Sequence, residues 1–159
     1  MARSRIAVRV EGRPARSSFG SVRPVTLRRW AAPMLAALER GDAELSIVLC
    51  DDPFIHELNR RFADEDHATD VLAFALAEGP GPHAGGLLGD VVISIETAAR
   101  QAAHRRAPVE DEVLLLLAHG LLHLVGYDHR TAAEKRIMIA RTDVLIAAAR
   151  APAPGRRRR

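Results

Sequence analysis

The sequence predicts an α+β domain, and three observations carry that prediction. Four short stretches, residues 6–11, 44–50, 71–76 and 87–95, are alternating or continuously apolar and read as strands. Segments with helical apolar spacing lie between and after them. One of these, opened by Pro108 and running to about Val125, is apolar almost all round. Such a helix belongs in the middle of a fold, with a four-stranded sheet and other helices packed around it. At 159 residues the chain suits one domain with its own core. We assign residues 1–150 to that domain and 151–159 to a disordered basic tail.

Each element has its own local signal. Ile6, Val8 and Val10 alternate with Ala7, Arg9 and Glu11, the pattern of a half-buried strand. Gly12 to Pro24 is rich in turn residues. From Thr26 the spacing of Leu27, Trp30, Met34, Leu35 and Leu38 predicts a helix, with a kink or late start at Pro33 and an end at Gly41. Glu44 to Cys50 is the second strand. Asp51 or Asp52 caps the next helix, with Pro53 in its first turn and Ile55, Leu58, Asn59 and Phe62 following.

A polar loop, 63–70, leads to the third strand, and a long connection, 78–86, leads to the fourth. Glu96 to Arg106 is helical. The apolar helix follows, with Glu110, Asp111 and Glu112 in a first turn that favours acids. Gly126 suits the left-handed residue just past its end. Thr131 and Glu134 form a capping box for a last helix to about Arg150.

Composition narrows the function classes. The single cysteine, Cys50, excludes an internal disulfide and fits a reducing cytoplasm; its place at a strand end makes it a small core residue. No run is long and apolar enough to span a bilayer, and arginines interrupt the N-terminal segment, so neither membrane insertion nor export is expected. The formal charge of +3 falls to −1 when Arg156 to Arg159 are set aside, so any basic character is local. Eight arginines crowd the first thirty residues, where guanidinium forks could meet phosphates or simply be solvated.

The chemistry concentrates in His119-Gly120-Leu121-Leu122-His123-Leu124-Val125-Gly126-Tyr127-Asp128-His129. Residues four apart share a helical face, so His119 and His123 can hold one ion between them. The turn after Gly126 can return His129 as a third ligand. Three histidines on Zn²⁺ leave a position for water, the arrangement of a catalytic site. Two imidazoles on an apolar helix would otherwise cost free energy without return. His56, His67, His83 and His104 lack partners at ligand spacing and are expected at the surface or in loops. A zinc peptidase of the H-E-x-x-H type has a glutamate beside its first ligand. Here that position is Gly120, a small residue leaving room beside His119 or serving packing, so the general base of proteolysis is missing.

This stretch resembles the signature of the YbeY family of metal-dependent endoribonucleases. Two further segments agree: Leu58-Asn59 with Thr69-Asp70-Val71-Leu72-Ala73-Phe74, and Leu88-Gly89-Asp90-Val91-Val92-Ile93-Ser94. The resemblance covers about residues 44–146. It implies a zincin-like α+β fold and one zinc ion per chain on His119, His123 and His129. It also implies a cytoplasmic enzyme that cleaves single-stranded RNA, matures the 3′ end of 16S rRNA and serves late 70S ribosome quality control. Its partners would be ribosomal RNA and the small ribosomal subunit, with neither DNA nor membrane expected.

The chain departs from the family pattern at several points. Ala63 stands where the family has an arginine, Ala68 and Ala75 where prolines are usual, and Ala73 where serine is usual. Arg61 is the candidate catalytic arginine in place of residue 63, reaching the same phosphate if the helix end shifts. Two other classes fit the sequence. A non-catalytic, zinc-containing ribosome-assembly or RNA-binding factor is favoured by Ala63, and a small-substrate metal hydrolase is supported only by the generic three-histidine pattern.

Overall fold

The computed structural model describes residues 3–76 and 86–152. His83, most of the long connection and the tail from residue 153 therefore lie outside the described residues. The elements run β1 (Arg5–Glu11), a 3₁₀ turn (Arg16–Phe19), α1 (Pro24–Ala37), β2 (Glu44–Cys50), α2 (Asp52–Phe62) and β3 (Val71–Ala75). They continue with β4 (Leu87–Ser94), α3 (Ile95–His104), α4 (Val109–Leu124) and α5 (Ala132–Arg150). Among the described residues four strands and five helices form the α+β domain that the sequence predicts.

The sheet order is β1-β2-β4-β3. β1, β2 and β4 run parallel, and β3 is antiparallel to β4 with Val71 opposite Ile93 and Ala73 opposite Val91. β2 and β4 lie inside the sheet and are covered on both faces, so their sequences are continuously apolar rather than alternating. Leu45, Ile47, Leu49, Val91 and Ile93 face the main core with α1, α4 and α5. Val48, Cys50 and Val92 face a smaller cluster built with Ile55, Phe54 and Leu58 of α2. The two sides of the sheet thus have separate cores.

α4 is the central element. Leu114, Leu116, Leu117, Leu121 and Leu122 are all buried. Each such side chain contributes about 1.5–3 kcal/mol of apolar burial. Cys50 is buried too, and desolvation, with Asp51, Asp52 and Glu96 adding to it, pushes its thiol up to about 12. That thiol is a core residue without thiolate chemistry at neutral pH.

The caps account for most boundaries. Asp51, rather than Asp52, caps α2 by accepting from the Phe54 amide at 3.0 Å. Thr131 caps α5 by accepting from the Glu134 amide at 3.0 Å, while Glu134 accepts from the Arg130 amide at 3.0 Å. α1 corrects two expectations. It begins at Pro24, whose fixed φ suits a first helical residue, and it passes through Pro33. It also ends at Ala37, before Gly41, because Glu39 takes the left-handed conformation (φ 59°). The amides of Glu39 and Arg40 then close on the carbonyls of Ala36 and Leu35. α3 closes likewise at His104 through Arg106 (φ 54°), two residues earlier than its sequence suggests.

Candidate metal and RNA site

The site is built where α4 stops. Gly126 adopts φ 99°, its amide donates to His123 O at 3.1 Å, and the Tyr127 amide donates to Leu122 O at 3.0 Å. This pair of bonds turns the chain back on itself. Asp128 then fixes the loop: its carboxylate accepts from the His129 amide at 2.8 Å and pairs with Arg130 at 2.9 Å. The His129 amide, with Arg130 helping, holds the Asp128 carboxyl below its ordinary range.

The turn brings the three histidines of the sequence motif onto one open cleft of about 880 Å³. His119 and His123 are half-buried and His129 is exposed. The rings of His123 and His129 meet edge to face, with centroids 5.4 Å apart. Burial pushes the His119 imidazole below its ordinary value; the nearby Asp70 opposes this, and His123 and His129 add to it. His119 is therefore neutral at neutral pH, with a lone pair available for a ligand. Among the described residues no three His, Cys, Asp or Glu side chains close into a metal cage. The structure places the three imidazoles along one cleft, and their donor chemistry fits zinc.

β3 and the two residues before it form one wall of the cleft with Thr69, Asp70, Val71, Leu72 and Ala73, and α5 forms another with Lys135, Met138 and Ile139. Asp70 Oδ1 accepts from the Val71 amide at 2.8 Å, and Oδ2 accepts from Gln101 at 3.4 Å. Sequence reasoning quoted Asp70 only as part of a motif and passed over Lys135, although Lys135 is the only lysine beside 22 arginines.

Gly120 also lines the cleft, but its smallness serves packing. A Cβ there would lie 2.6 Å from Val91 Cγ1 and 3.4 Å from Val71 Cγ2. The position that carries the glutamate in H-E-x-x-H peptidases therefore points at the sheet.

Arg61 lies elsewhere. α2 packs on the opposite face of the sheet from α4, and Arg61 is exposed on it, outside the cleft lining. Its guanidinium carbon stands 5.6 Å from the ring centroid of Phe62, which is 64% exposed and meets Phe74 of β3 edge to face. Ala63 is the residue that closes α2. His56 and His67 pair with Asp66 and Glu65 at the surface, and His104 is exposed, as expected for histidines outside the site.

A four-stranded mixed sheet flanked by helices, with three histidines and an aspartate lining one cleft, defines an α+β fold with a candidate site on its central helix, and comparison with known proteins specifies the family. The family model "Endoribonuclease YbeY" matches residues 18–150. A protein of that name from an Anaeromyxobacter species is 53% identical over 129 residues, covering 77% of this chain and 66% of the relative. One from Syntrophotalea carbinolica is 46% identical over 126 residues, covering 77% of this chain and 83% of the relative. The chain belongs to the YbeY family. It spans just under two thirds of the Anaeromyxobacter relative's length. The solution structure of TM1509 from Thermotoga maritima shares the fold with a TM-score of 0.57 and 23% identity, covering 94% of this chain and 99% of that one.

Proposed function

We propose that this chain is a zinc-dependent endoribonuclease specific for single-stranded RNA. Its task would be maturation of the 3′ end of 16S rRNA and late 70S ribosome quality control in the cytoplasm. The observation that carries this reading is the alignment of His119, His123 and His129 along one cleft in a chain of the endoribonuclease YbeY family. Among the described residues no helix is long and apolar enough to cross a membrane.

His119, His123 and His129 would hold one zinc ion. When bound, zinc supplies Lewis acidity, lowering a bound water's pKa toward about 7 and offsetting charge on a phosphoryl oxygen. The remaining work belongs to the chain's own residues. Among the described residues Asp70 is the carboxylate lining the cleft, and with Gly120 closed against the sheet it would be the group to accept a proton from the attacking hydroxyl or water. The open cleft admits a single strand with its bases splayed, whereas a duplex offers mainly shape and sugar contacts. A strand leaving the cleft over the β3 edge would meet Phe62 for stacking and Arg61 for a phosphate.

The test is cleavage of a 16S rRNA precursor by wild type, His119→Ala, Asp70→Asn and Arg61→Ala. Loss of cleavage in the first two variants and a partial loss in the third are expected. Cleavage that survives His119→Ala intact would identify a contaminating nuclease and end the enzyme reading. A second reading, a non-catalytic assembly factor, draws on Ala63 at the arginine position and on a cleft lining without arginine among the described residues. It would win if wild type cleaves nothing yet migrates with small subunits.

A further inference from the structure

Among the described residues Lys135 is the one Lys or Arg side chain lining the histidine cleft. It is exposed on the first turn of α5, and among the described residues no carboxylate lies within ion-pair distance of it. The nearby carboxylates are engaged elsewhere: Asp128 pairs with Arg130 at 2.9 Å, and Glu134 accepts from the Arg130 amide at 3.0 Å. Helix stability gives no reason for a cation here, because the first turn of a helix favours acids.

Chain chemistry gives no reason for it either. The sequence uses arginine 22 times and lysine once, and that one lysine stands at the cleft. Four residues further along the same helical face, Ile139 also lines the cleft and is 64% exposed. An unpaired ammonium beside an exposed apolar side chain complements a nucleotide, which joins an anionic phosphate to a flat, stackable base. The ammonium is a compact point charge that takes a single phosphate oxygen without the paired geometry a guanidinium favours.

We propose that Lys135 is the phosphate-binding residue of the cleft, holding one backbone phosphate of a single strand whose adjoining base lies on Ile139. This rests on the endoribonuclease reading and deepens it. The resulting register sets the strand against the three imidazoles from the α5 side, the wall opposite in charge to Asp70.

The lone lysine makes the test direct. Reductive methylation with ¹³C-formaldehyde preserves the charge and yields one lysine side-chain signal besides that of the terminal amine. Titration with a short single-stranded 2′-O-methyl oligoribonucleotide should shift that signal saturably. Lys135→Ala, at an exposed helical position, should fold normally by circular dichroism. It should weaken binding about three- to ten-fold and reduce the salt slope by about 0.7. Lys135→Arg should retain the slope, and Ile139→Ser should weaken binding with the slope unchanged. Wild-type affinity and slope in Lys135→Ala would overturn the assignment while leaving the nuclease reading in place. Failure of wild type to bind the oligonucleotide at all would overturn both.

Discussion

Gly120 on α4 and Val91 on β4 approach so closely that a Cβ on residue 120 would stand 2.6 Å from Val91 Cγ1. Val91 is buried and β-branched, so it has little freedom to turn aside. Overpacking of this kind costs about 1–3 kcal/mol, against about 1 kcal/mol gained from replacing glycine in a helix. Gly120→Ala should therefore be neutral to destabilising by about 2 kcal/mol. Val91→Ala made in the same chain should recover part of that loss, giving a coupling energy of the kind seen between residues in contact. Urea unfolding of the two single variants and the double variant measures the cycle. Strict additivity would show that Gly120 is not a packing residue. The same contact explains why Gly120→Glu would unfold the domain rather than supply a peptidase base.

Asp52 ties three elements together at the far end of the sheet. Its carboxylate accepts from Ser94 Oγ and from Thr97 Oγ1, each at 2.6 Å, and pairs with Arg100 at 2.8 Å. Burial pushes the carboxyl up, but the bonds from Ser94, Thr97 and Arg100 together outweigh it and hold it below its ordinary value. A carboxyl depressed by folding adds stability above its unfolded pKa, and that stability is lost as pH falls through the folded value. Asp52→Asn should cost about 1–3 kcal/mol at pH 7. The gap to wild type should close progressively in acid. Denaturation series at several pH values would check this, and a gap that widens toward low pH would be inconsistent with the carboxylate role.

Most elements were legible in the sequence because their signals are local. Asp51, Thr131 and Gly126 act through hydrogen bonds to residues within four positions, so the starts of α2 and α5 and the end of α4 could be placed. α1 and α3 close with the same pair of bonds as α4, but the left-handed residue is Glu39 or Arg106, and no residue type announces that. The histidine cluster was legible because its members sit within eleven residues. The walls of the cleft were not. Asp70 and Lys135 reach it only because β3 pairs at the edge of β4 and α5 folds back along α4, packing between separate elements that no local signal announces. Arg61 was assigned by register with a family pattern, and register does not show which face of the sheet α2 covers.

Glu112 gives a pH dependence of opposite sign to that of Asp52. Its side chain is 4% exposed and lies 3.2 Å from Arg105. Burial pushes the carboxyl up, Arg105 pulls it down, and Asp70 pushes it up again, for a net rise. Folding therefore disfavours the ionised form, and stability falls as pH climbs from the ordinary carboxylate range through the raised value. Glu112→Gln removes that slope. Arg105 is 58% exposed and can return to water, so losing its partner leaves no buried charge behind. The variant should match wild type or exceed it by up to about 1 kcal/mol at pH 8 and lose the advantage at low pH. Urea midpoints at pH 5 and pH 8 decide it, and a variant equally destabilised at both would assign Glu112 a structural hydrogen bond instead.

Zinc binding can be tested without reference to cleavage. A ligand that binds only the folded chain stabilises it by about 2.7 kcal/mol at one hundred times its dissociation constant. For a domain of this size that corresponds to a rise of about 5–10 °C in Tm. Chelator-treated wild type should show this rise when zinc is returned and should bind about one ion per chain. His119→Ala and His123→Ala should lose most of the rise, each removing a ligand from α4. His129→Ala should weaken zinc binding with little effect on the metal-free Tm, because His129 is exposed and its ring buries nothing in the core. The contrast with Lys135→Ala separates the two halves of the cleft. That variant should bind zinc as wild type does while binding RNA less well, since its ammonium has no lone pair for a metal. Full zinc stabilisation in His119→Ala would remove that histidine from the ligand set.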